Sequence, residues 1–173
     1  GADAGNYNFA GATGDYTVNK AALTGSITAG NSTYGSALVA GTASFSGKIT
    51  GDDVTVPATA VNIDTTGKTS TAGHLKAGTH TGIQVVSGIS GADADNYSVS
   101  SITGDYTVSK ADLSATIAAG SSTYGATLSP GAASLTGLLS GDVVTPTVTV
   151  NTTGNTSTSG KLKAGSHTGI QSV

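Results

Sequence analysis

Asp93, Asp95 and Asn96 place three oxygen-bearing side chains within one short stretch, the ligand chemistry that a hard cation takes. They are the calcium candidates of the chain, and a sparse set. Ca²⁺ takes about six to eight oxygens, usually several of them carboxylates. The loop pattern D-x-[DN]-x-[DN]-G does not occur, and turn capping accounts for these residues more simply. The histidines are His74, His80 and His167, and the chain holds no Cys and no Glu. A structural zinc site draws on about four ligands from that set, so the histidines read as strand-edge residues. No Ser sits in the setting of a nucleophile elbow. The expectation is no catalytic residue, no cofactor and no metal beyond those three candidates. Asn31, Asn96, Asn151 and Asn155 open N-x-[ST] sequons, which chance supplies in a chain so rich in Ser and Thr.

The elements that would position these side chains are legible in the composition. Of 173 residues 26 are Gly, the ten acids are all Asp and the seven bases all Lys. Charged residues make up 10%, against roughly 25% in ordinary soluble domains. Helix formers such as Glu, Arg, Met and Gln are scarce or absent while Thr, Val and Ile abound, which points to an all-β chain. The net charge of −3 is spread without a basic patch, so nucleic acid and anionic membrane are not expected partners. No apolar run approaches the roughly 18 residues of a membrane span.

The chain repeats itself. Residues 1–53 and 91–143 share 29 identities, including "TGDYTV" and "STYG". Beyond that the spacing drops from 90 to 87, where "HLKAGTHTGIQ" (74–84) meets "KLKAGSHTGIQ" (161–171). The three missing residues fall between Asp53 and Asp64. A unit this long suggests beads on a string, since solenoid repeats run roughly 20–45 residues. No acidic pair recurs in both copies, because Asp95 aligns with Gly5 and Asp53 with Val143. That also argues against a catalytic site.

Within a unit the apolar period is two. Leu23, Gly25, Ile27 and Ala29 face one way; Thr24, Ser26 and Thr28 face the other. Further strands are expected around 38–46, 54–63, 80–87, 96–102 and 105–109, at the spacing of a sandwich. The fold class is therefore all-β, as tandem immunoglobulin-like Greek-key β-sandwich repeats. The expected core is Leu23, Ile27, Leu38, Phe45, Val54, Val56, Ile83, Val85, Ile89, Tyr97, Val99 and Val108.

"GADADNY" (91–97) and "GADAGNY" (1–7) each set a Tyr behind an Asp and small residues. In immunoglobulin-like sandwiches a Tyr near the start of the sixth strand bonds backbone a few residues upstream. Tyr97 and Tyr7 fit that corner, with Asp93 capping the turn through its side chain. The chain then parses as 1–20, the last strands of a preceding repeat; 21–110, a complete repeat; and 111–173, a following repeat without its last strands. Either residues 1–20 complete residues 111–173 of a neighbour, or the next stretch of a continuous chain does.

"LTGSITAGNSTYG", "GKITGDDVTV", "SGISGADADNY" and "DYTVSKADL" resemble the tandem YDG/MBG-type repeats of large Gram-negative filamentous-haemagglutinin-like surface adhesins. The Tyr-Asp-Gly tripeptide of such repeats is absent, since Tyr34-Gly35 and Tyr124-Gly125 lack the Asp. The resemblance implies a secreted, cell-surface stalk or extracellular fibre of the kind that supports adhesion and biofilm. Its partners would be neighbouring repeats, end to end, with lateral self-association. The alternative is a carbohydrate- or ligand-binding β-sandwich module.

Overall fold

The period-2 stretch at 23–29 forms a strand over Ala21–Ile27, and ten further strands follow it in the described residues. The computed structural model describes residues 1–57 and 60–173. In chain order the strands are β1 (Ala21–Ile27), β2 (Gly30–Thr33), β3 (Ala43–Ser46), β4 (Val61–Ile63), β5 (Gly78–Val86), β6 (Tyr97–Val99) and β7 (Thr103–Ser109). They continue as β8 (Ser114–Ile117), β9 (Ala133–Thr136), β10 (Thr149–Val150) and β11 (Gln171–Ser172). Single 3-10 turns at Ala4–Asn6 and Ala94–Asn96 are the only helical elements among the described residues. The protein is all-β, and none of its described helices is long and apolar enough to cross a membrane.

Two sheets carry residues 21–109: β3-β1-β6 and β2-β7-β5-β4. They are tied by one pair of segments that crosses from the first sheet to the second. β1 runs parallel to β6 and β2 parallel to β7. Both pairings keep a separation of 76 residues, from Ala21↔Tyr97 to Thr33↔Ser109. The two segments therefore change sheet together without slipping. Close approach at the crossing requires glycine: a Cβ on Gly104 would lie 2.8 Å from Ile27 Cβ, and one on Gly25 2.7 Å from Ile102 Cδ1.

All twelve expected core residues are buried or half-buried, but they do not form one core. Leu23, Val54 and Tyr97 make one cluster, with Phe45, Ile89 and Val99 against it. Leu75, Ile83, Tyr106 and Val108 make the other, with Tyr34, Leu38 and Ile63. Each cluster sits on one sheet. A fully enclosed Leu such as Leu23 stabilises by about 1.5–3 kcal/mol, and Tyr106 and Gln84 are enclosed as completely.

Some strand pairings recur at the spacings of the sequence repeat. The β8–β9 register, Ser114↔Thr136 to Ile117↔Ala133, copies β1–β3 at a spacing of 90. The β10–β11 rungs copy Asn62↔Val85 and Ile63↔Gln84 at 87. The isolated bridge Thr69↔Leu75 recurs as Thr156↔Leu162.

Several expected boundaries move. Residues 38–42 are not strand, because the strand begins at Ala43. The run expected at 54–63 reduces to a bridge at Thr55↔Ser90 and to β4; its residues 58 and 59 lie outside the described ones. β2 arises in "NST", a polar stretch with no apolar alternation to announce it. The strand expected at 96–102 shortens to β6, the one expected at 105–109 extends back to Thr103 as β7, and the two fall in different sheets.

Candidate functional site

Every recurring tyrosine in the central repeat fastens a loop. Tyr97 follows the 3-10 turn Ala94–Asn96 and points into the first cluster. Its hydroxyl accepts a hydrogen bond from Ile49 N–H (2.9 Å) and donates to Asp52 Oδ2 (2.5 Å). Burial, with the Asp52 carboxylate adding to it, holds its hydroxyl above the ordinary tyrosine range. The corner expectation is therefore corrected in one respect. The backbone partner is not a few residues upstream but in the loop after β3, because β6 lies two strands from β3 in the same sheet. Tyr106, on β7, accepts Val39 N–H at 3.1 Å and so holds the loop between β2 and β3.

Asp93 does not cap its own turn; no side-chain cap bond forms there. Instead it closes a reciprocal clasp with Asp53. Asp53 N–H donates to Asp93 Oδ2 (2.8 Å), Asp93 N–H to the Asp53 carbonyl (3.1 Å), and Ala92 N–H to Asp53 Oδ2 (3.1 Å). Backbone amides thus already fill oxygen positions that a cation would use. Asp95 and Asn96 are exposed and lie beside this clasp in sequence. Among the described residues no three His, Cys, Asp or Glu side chains converge to hold a metal. His80 Nε2 lies 2.7 Å from the Lys76 carbonyl and His167 Nε2 2.8 Å from the Lys163 carbonyl. Each therefore donates to its own loop.

Gln84 is the buried polar residue that sequence reasoning missed. Its Oε1 accepts Gly41 N–H (2.5 Å), and its Nε2 donates to the carbonyls of Thr28 (3.1 Å) and Asp105 (2.7 Å). One amide thereby binds the crossing point of both segments and the loop before β3. The signal was present in "THTGIQ" and "SHTGIQ", which keep the Gln in both copies. Gln171 repeats two of the three bonds, to Gly131 N–H (2.7 Å) and the Ala118 carbonyl (3.3 Å).

The two repeats meet at Tyr34. Its hydroxyl donates to the Asp142 carboxylate, lying 2.7 and 2.6 Å from the two oxygens, and sits 2.8 Å from Ser70 Oγ. The Asp142 hydrogen bond is the main cause that holds the Tyr34 hydroxyl above its ordinary range. Gly35, at φ +85°, lets Leu139 pack where any Cβ would collide. Asp142 aligns with Asp52, the partner of Tyr97, so one repeated carboxylate serves a tyrosine of its own repeat in one copy and of the preceding repeat in the other.

The outer face of β1 and β3 is a ladder of hydroxyls, with Thr24 Oγ1 2.8 Å from Ser46 Oγ and Ser26 Oγ 3.3 Å from Ser44 Oγ. The same rung recurs as Ser114–Thr136 at 2.7 Å. These hydroxyls are engaged with each other across the strands, the usual use of Ser and Thr in cross-strand pairs.

No family model matches the chain, and neither a curated protein nor a solved structure matches it at a significant level.

Proposed function

We propose that the chain is a structural spacer. It is a run of immunoglobulin-like β-sandwich repeats from the stalk of a secreted bacterial surface adhesin or extracellular fibre, with neighbouring repeats as its partners. The observation that carries this reading is the Tyr34–Asp142 junction. It joins residues 108 apart through positions that recur in each repeat, as Tyr34/Tyr124 and Asp52/Asp142. A stalk needs a contact of this kind, which can be added once per unit. The polar side chains with chemistry to offer serve architecture instead: Asp52, Asp53, Asp93 and Gln84 each hold a loop or a crossing. The resemblance to YDG/MBG-type repeats supports the same reading.

The test is small-angle scattering of tandem units, together with a glycan array probed with the 173-residue chain. A spacer gives a cross-section independent of repeat number, a length that grows linearly with it, and no saturable glycan binding. Saturable binding to a defined sugar would replace the spacer with the ligand-binding alternative. A radius of gyration that grows as a flexible coil would remove the mechanical role.

A further inference from the structure

We propose that the central repeat is a shear clamp for tension. The segments by which the chain enters and leaves it lie side by side and resist sliding past each other. This deepens the spacer reading by giving the unit a force to carry, but its geometry and its test stand apart from that reading.

The direction of the strands carries the inference. The chain enters the repeat through β1 and β2 and leaves it through β6 and β7. β1 runs parallel to β6, from Ala21↔Tyr97 to Leu23↔Val99, and β2 parallel to β7, from Gly30↔Tyr106 to Thr33↔Ser109. Tension along the chain draws the entering segment back from its first residue and the leaving segment forward from its last. Between parallel neighbours those two points lie at opposite ends of the pair. Every rung of the ladder is then loaded at once, along the strands. Were the segments antiparallel, the two points would share one end and the rungs would part singly. A single backbone hydrogen bond is weak in net terms, so the sharing of the load sets the barrier. Forced unfolding follows that barrier rather than equilibrium stability. Tyr34 N–H extends the ladder by one more bond, to the Ser109 carbonyl at 2.8 Å.

Two further features oppose the same sliding. At the crossing, Gln84 Nε2 donates to the Thr28 carbonyl of the entering segment and to the Asp105 carbonyl of the leaving one. One buried amide therefore spans both. The apolar side chains also interlock. Ile102 of the leaving segment lies over Gly25 of the entering one, where a Cβ would be 2.7 Å from its Cδ1. Ile27 of the entering segment lies over Gly104 of the leaving one, where a Cβ would be 2.8 Å from its own Cβ. Side chains two residues apart share a face of a strand. Gly25 is thus a notch between Leu23 and Ile27, and Gly104 a notch between Ile102 and Tyr106. All four flanking side chains are buried, and a close-packed interior leaves a displaced side chain no room. To slide, each isoleucine must climb out of its notch and over a large neighbour.

The chain has no cysteine, so thiol handles can be placed on the 173-residue protein and pulled in an optical trap. Lys20→Cys with Lys110→Cys loads the clamp along its length. Lys20→Cys with Lys48→Cys loads the antiparallel β1–β3 pair, whose register Thr24↔Ser46 brings both handles to one end. All three lysines are exposed, so the two proteins differ in the direction of pull and not in their packing. The 20–110 direction is expected to rupture at several times the force of the 20–48 direction. It should do so in a single step that releases about 300 Å of chain, the intervening residues at roughly 3.3–3.6 Å each. Ile102→Val, which shortens one tooth, should lower the 20–110 force by a larger fraction than the 20–48 force. Equal forces in the two directions overturn the clamp, as does a 20–110 trace that opens in successive small steps. Equal fractional losses in Ile102→Val overturn the interlock. None of these results bears on scattering by tandem units or on glycan binding, so a failure here is separable from a failure of the spacer reading.

Discussion

Tyr34 donates its hydroxyl to Asp142, a residue 108 positions later in the chain. This contact belongs to neither repeat alone and fixes one against the other, with Leu139 seated over Gly35 beside it. Asp142→Ala or Tyr34→Phe should loosen that arrangement while leaving the two clusters of the central repeat intact. Spin labels at Thr66→Cys and Thr153→Cys, one exposed site in each repeat, would read it. A narrow distance distribution in the parent chain should broaden in either variant, with melting of the central repeat unchanged. Equal widths would show that the junction is held elsewhere.

Alkaline pH should act on the same hydroxyls. Tyr34 and Tyr97 both have folded-state values raised above the ordinary one, Tyr34 chiefly by the bond to Asp142 and Tyr97 chiefly by burial. Below about pH 10, the unfolded tyrosine value, both states keep the proton and the stabilisation is complete. Above it the unfolded chain ionises first, so stability falls as pH rises towards the folded-state values. Melting curves from pH 8 to 11.5 should show this decline, and Tyr97→Phe should flatten it. A decline of the same slope in that variant would assign the effect to other groups.

Calcium should matter little. Asp93 and Asp53 already accept backbone amides from each other's loops, so binding a cation would mean giving those bonds up. The melting temperature in millimolar calcium should match that in chelator to within about 4–8 °C, the shift that roughly 1 kcal/mol produces in a domain of this size. Asp93→Ala should cost about 0.5–1.5 kcal/mol in either buffer, the net value of one hydrogen bond. A larger calcium-dependent rise would make Asp93, Asp95 and Asn96 a real cation site.

The apolar alternation was legible because it is local. Leu23, Ile27 and Val108 read correctly as buried from period alone. The repeat was legible too, since identities such as "TGDYTV" and "STYG" need no structure to be seen. Less legible was anything set by pairing at a distance. β2 is polar, and it is a strand because β7 lies beside it; its counterpart at 120–123, with no such neighbour, is not. The division of the core into two clusters follows from both segments changing sheet at residues 28–29 and 100–102, which no alternation encodes. The partners of Tyr97 and Asp93 were placed wrongly for the same reason. A side chain's reach depends on which loop the sheet order brings beside it.

Gln84 and Gln171 offer the sharpest comparison, because the same residue occupies equivalent positions in the repeated sequence, enclosed in one copy and half-exposed in the other. Gln84 is fully enclosed and makes three hydrogen bonds across the sheet crossing. Gln84→Leu keeps the volume roughly but leaves Gly41 N–H and the Thr28 and Asp105 carbonyls without that partner. Each buried orphan costs about 1–3 kcal/mol. The sum is not additive, and a loss of about 3 kcal/mol or more is expected. Gln171 is half-exposed and makes only two such bonds, so water replaces them readily. Gln171→Leu should cost less than about 1 kcal/mol. Chemical denaturation of both variants measures the difference. Equal losses would mean that residues 111–173 are as closed around Gln171 as the central repeat is around Gln84.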